Sequence, residues 1–99
     1  MLNETNKHLI GKPSLKSDYC VVCGARATNQ HHVIQKGMGG SKAKIPTVSL
    51  CGMGNTSGCH GKAHSGRLHF DYRDGWYYCE TEPCSYLEAL ETGEWVPCS

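Results

Sequence analysis

A chain of 99 residues with only sixteen Leu, Ile, Val and Phe side chains reads as one small domain whose apolar core is too thin to stand alone, the size at which metals or disulfides supply the remainder. Seven cysteines cannot pair completely within one chain, and Met1-Leu2-Asn3-Glu4-Thr5-Asn6-Lys7 lacks the apolar stretch of a secretory signal. A disulfide-rich secreted peptide is therefore not expected, and zinc thiolates in a reducing, cytoplasmic compartment are. The net charge of +1 conceals a division: residues 1–73 hold all ten Lys and Arg against three acids, a net of +7, whereas residues 74–99 hold six acids and no base.

Residues 1–18 are polar, with Lys7, Lys12 and Lys16 and a Gly11-Lys12-Pro13 break, which predicts a flexible basic arm. Cys20-Val21-Val22-Cys23 is a tight thiolate knuckle, and Gly24 supplies its turn. Ala25 to Ile34 suits a strand ending in His31-His32-Val33-Ile34. Adjacent strand residues face opposite sides, so the two imidazoles cannot share a role. Gln35 to Lys44 combines three glycines with Lys36, Lys42 and Lys44; it reads either as a basic loop able to lie along phosphates or as a solvated connection. Ile45 to Leu50 is a short strand, followed by the Cys51–Cys59 loop and a helix from near Cys59 to near Ser65, which Gly66 stops. Asp74-Gly75, set between two aromatic runs, signals a hairpin. Pro83 to Thr92 reads as an acidic helix with Leu87 and Leu90 on one side and Gly93 closing it.

Cys20 and Cys23 with Cys51 and Cys59 form two thiolate pairs. The first has knuckle spacing, and the second needs its glycines to curl back. A closed four-sulfur site has no open position, so zinc there is structural. Cys79, Cys84 and Cys98 are spaced irregularly and fit partly buried free thiols better than a further metal site. With the sulfurs used, His31, His32, His60 and His64 remain as adjacent pairs around the zinc scaffold, whereas His8 and His69 stand alone. Imidazoles in this pattern suggest a second, open metal site.

Taken together, Cys20-x-x-Cys23, His31-His32-Val33-Ile34 with the following Gly39-Gly40, and Leu50-Cys51 through Gly58-Cys59-His60-x-x-x-His64 resemble the HNH endonucleases, and the long glycine-bearing loop resembles the small phage-type members. The resemblance spans about residues 19–65. It implies a small α+β fold: a zinc-stapled ββα-metal (His-Me finger) core over residues 19–66, completed within the same domain by a hairpin and acidic helix over residues 67–99. It further implies His32 as general base, His31 and His64 as ligands of a catalytic Mg2+, Mn2+ or Ni2+ ion, and His60 as an additional ligand. The family's middle Asn is absent from Ile45-Pro46-Thr47-Val48; Thr47 or Asn55 are the candidates to stand in for it.

The expected activity is metal-dependent hydrolysis of phosphodiester bonds in double-stranded DNA, by nicking or double-strand cutting. Lys36, Lys42, Lys44 and Lys62 are the expected phosphate contacts. By resemblance alone, the setting is phage genome processing or packaging beside a terminase, in the cytoplasm of a bacterial host, with no membrane partner. The competing reading is a zinc-stapled nucleic-acid-binding module that kept the scaffold and lost the chemistry. A mere binding module has no need of a base beside an open metal site.

Overall fold

The computed structural model describes residues 8–33, 45–53 and 57–98. Among the described residues the chain is a small α+β protein with two sheets and two helices. Strands β1 (Asn29–His32) and β2 (Thr47–Leu50) pair antiparallel, with His31 opposite Val48 and His32 opposite Thr47. Helix α1 (Gly58–His64) follows and packs between β2 and β3 (Leu68–Tyr72). The strand expected over Ala25 to Ile34 is thus only four residues long, because residues 20–28 are taken up by the knuckle and its exit.

In the second sheet β4 (Trp76–Glu80) is central, between β3 and the two-residue β5 (Val96–Pro97). Tyr72 pairs with Trp76, so three residues, Arg73 to Gly75, close the hairpin instead of the Asp-Gly pair alone. Helix α2 (Tyr86–Thr92) starts at Ser85, whose hydroxyl accepts from the Glu88 N–H at 3.2 Å. Its buried side is Tyr86 and Ala89, and Leu87 is half exposed. The Tyr86 hydroxyl donates to Asp71 Oδ1 at 2.9 Å, and that bond sets the roll of the helix.

The core joins both sheets to α1 through Leu9, Val21, Val48, Leu50, Leu68, Phe70 and Trp76, together with Cys20 and Cys59. Leu9 belongs to the segment expected to be a flexible arm. Residues 8–18 instead pack along the fold. Leu15 bridges Val48 in parallel, with its N–H donating to Thr47 O at 2.8 Å, and the Trp76 indole N–H donates to Pro13 O at 2.7 Å. Residues 1–7 lie outside the described residues.

His8 adds a polar tie, bonding Asp71 Oδ1 at 2.9 Å while Arg73 Nε donates to Oδ2 at 3.2 Å. Burial raises the Asp71 carboxyl, but the bonds from His8, Tyr86 and Arg73 outweigh it and hold the group below its ordinary value. A depressed carboxyl stabilises the fold above the unfolded-state carboxylate range, and this contribution is lost as pH falls through the folded-state value. Asp71→Asn is therefore expected to cost about 2 kcal/mol near neutral pH and less in acid. Denaturant titrations of both proteins across pH check this; an equal cost at all pH values would contradict it.

Candidate metal centre

The knuckle forms because Gly24, at φ 82°, turns the chain back so that its N–H donates to Cys20 O at 3.0 Å. The wider pair closes through Gly52 and Gly58, whose backbones press together at φ 121° and 61°. A Cβ on Gly58 would sit 2.6 Å from Gly52 Cα and 2.9 Å from Cys51 O. Only glycines allow that approach, and it is what lets Cys51 reach Cys59 across eight residues. The loop is tied back to β1 by Asn29, whose side-chain amide donates to Gly52 O at 2.6 Å. It is tied to α1 by the His60 N–H, which donates to Cys51 O at 3.0 Å.

The sulfurs of Cys20, Cys23, Cys51 and Cys59 consequently lie within 4.8 Å of one another. Cys23 Sγ and Cys51 Sγ are 3.5 Å apart, close to the roughly 3.8 Å edge of a tetrahedral zinc–sulfur site. Burial pushes the Cys20 thiol up, but backbone N–H groups of Cys23, Val22 and Cys51 outweigh it and bring it down to about 7. The Cys59 thiol moves the other way, raised by burial and then by Cys20. Sulfurs this crowded resist shared ionisation, and a dication relieves the conflict. The donor set fits zinc.

The second cluster stands apart from these sulfurs. Strand alternation turns His31 inward against Phe70, at 6.1 Å between ring centroids, and leaves His32 exposed. The four-residue spacing puts His60 and His64 on one side of α1, with Nε2 atoms 3.1 Å apart. Ligand atoms of His31, His60 and His64 all lie within 4.8 Å of one another. Among the described residues, the buried Nδ1 of His31 has no hydrogen-bond partner. Burial, then the neighbouring imidazoles of His60, His64 and His32, push the His31 pKa down to about 3. A neutral imidazole with an unused buried nitrogen, facing two more imidazoles, fits a transition-metal ligand.

The predicted site residues therefore divide into two groups. The four cysteines and three histidines come together, while His32 does not join the histidine cluster. Thr47, the candidate replacement for the middle Asn, accepts a 2.9 Å bond from the Gln30 side-chain amide. Asn55, Lys36, Lys42 and Lys44 lie outside the described residues. Lys62 is half exposed and pairs with Glu80 at 2.8 Å. Cys79 is buried, and Cys84 and Cys98 are partly buried free thiols; among the described residues none of the three belongs to a metal-competent group.

An open groove of about 550 Å³ runs beside α1, lined by Ser57, Gly61, Lys62, His64, Ser65 and Arg67. Arg67 was not among the expected contacts, because a single base after a helix-stopping glycine carries no pattern of its own. Among the described residues no helix is long and apolar enough to cross a membrane. No protein-family model matches the chain, nor does any curated protein or solved structure.

Proposed function

We propose that this protein is a metal-dependent DNA endonuclease of the HNH type, with β1, β2 and α1 as its ββα-metal core. The observation that carries the reading is the meeting of His31 from β1 with His60 and His64 from α1, beside a separate four-cysteine cluster. A fold held by one zinc gains nothing obvious in stability from three further imidazoles aimed at one point. What a divalent ion supplies at such a site is positive charge beside the scissile phosphate and its departing 3′ oxygen.

The chain's own residues divide the remaining work. His31 orients the cluster from the strand, held neutral by burial. His32, the last residue of β1, offers an exposed imidazole to a substrate too large to enter the fold, and accepts the proton of the attacking water. Lys62 and Arg67 stand on the groove that His64 also lines, where duplex phosphates can be held. A phage terminase as partner and a bacterial host cytoplasm as setting belong to the same proposal, on the resemblance alone.

The second reading, a binding module without cleavage, draws support from Thr47. Its hydroxyl is bonded to Gln30, although the missing Asn would be expected to support the base histidine's loop. Nicking of supercoiled plasmid with magnesium, manganese or nickel separates the two readings. The nuclease reading expects wild type to produce open circles with at least one ion, and His32→Ala to lose about 10²- to 10⁴-fold in rate while keeping its zinc. Wild type that holds zinc and binds plasmid yet cuts with none of the ions would establish the binding module.

A further inference from the structure

Arg67 sits in the turn after α1 with its backbone pinned on both sides: its N–H donates to Lys62 O at 2.9 Å and its carbonyl accepts from the Thr81 N–H at 2.8 Å. Its side chain is exposed on the groove, and among the described residues no carboxylate pairs with it. Lys62, on the same groove, is held by Glu80 at 2.8 Å, both side chains being about half exposed at 47% and 46%. One cation is therefore open to a ligand and the other is occupied by an acid of the chain itself.

We propose that this groove is a subsite for the phosphodiester backbone of duplex DNA, in which Arg67 grips a phosphate and Glu80 occupies Lys62 as a resident competitor until a second phosphate displaces it. The inference rests on the nucleic-acid reading above and adds to it the unpaired state of Arg67 and the competition of Glu80 for Lys62. Ser57 and Ser65 line the same groove but spend their hydroxyl protons on Met53 O and Lys62 O, so the two cations carry the recognition, and a small acidic metabolite would find an open trough with nothing to enclose it. Glu80 stands in β4, so its carboxylate is delivered by the sheet and not by the groove. A fixed internal acid lowers affinity for every polyanion and leaves tight binding to ligands that offer several phosphates at once.

The test is fluorescence anisotropy of a short labelled DNA duplex with the zinc-loaded chain, over a series of salt concentrations and without added magnesium, manganese or nickel. Arg67→Ala is expected to bind several-fold more weakly and to flatten the log–log salt slope by about 1. Glu80→Gln is expected to bind several-fold more tightly and to steepen the slope by up to about 1, since Lys62 then sheds a counterion of its own. Glu91→Gln, the same charge change on α2 outside the groove, is expected to change neither. An unaltered slope in Arg67→Ala, or a Glu80→Gln effect matched by Glu91→Gln, overturns the proposal, as does a wild type with no affinity for the duplex. Plasmid nicking run beside it keeps the readings apart: cutting with unchanged slopes removes the groove and spares the nuclease, while the expected slopes without cutting do the reverse.

Discussion

Cys59→Ser is expected to leave the chain unfolded and free of zinc, with collapsed amide dispersion in NMR spectra. Structural zinc sites of this kind bind with roughly 10–16 kcal/mol at neutral pH, whereas domains of this size are stable by only about 5–15 kcal/mol in total. Losing the site therefore removes most or all of that reserve. The cysteines are also inseparable from the apolar core, since Cys20 and Cys59 are packed among Val21, Val48 and Leu50. An equally small change at a cysteine outside the cluster should behave differently. Cys98→Ser removes a half-buried thiol that packs against the core but, among the described residues, belongs to no metal-competent group, and it is expected to cost about 1 kcal/mol and to retain zinc. A folded Cys59→Ser protein would show that the core stands without its metal.

His64→Ala is expected to separate chemistry from folding. The side chain is exposed at the end of α1, so its truncation should change stability by no more than about 0.5 kcal/mol and leave the four-cysteine zinc in place. On the nuclease proposal, plasmid nicking should nevertheless fall by about a thousandfold or more, because His64 would be one of the three imidazoles holding the divalent ion. Melting curves and zinc content measured on the same preparations distinguish this from unfolding. Retained activity would place the catalytic ion elsewhere.

What the sequence announced was whatever is local. The knuckle spacing, the glycines of the long loop and the four-residue interval of His60 and His64 each encode their geometry within a few residues, and strand alternation alone divided His31 from His32. The remainder depends on partners far away in the chain. Nothing in Lys7 to Asp18 reveals that Leu9 joins the core or that Leu15 runs beside Val48, thirty-three residues further on. The roll of α2 was illegible for a similar reason: it is Tyr86 and Ala89 that turn inward, and the bond from the Tyr86 hydroxyl that reaches Asp71 joins residues fifteen apart. β5 is two residues long and contains Pro97, too brief for any periodicity. Arg67 became visible only once the groove gave it neighbours.

The fold offers two chemically distinct metal-competent clusters, one of sulfur and one of imidazole. Titration of the metal-free chain with cobalt(II), followed by electronic absorption, tests this most directly. The first equivalent is expected to bring strong thiolate-to-metal charge-transfer bands with tetrahedral ligand-field bands. The second should add weaker ligand-field absorption with no further thiolate band, and should disappear in His64→Ala while the first remains. Saturation at one equivalent, or a second equivalent that also carries thiolate bands, would contradict the account.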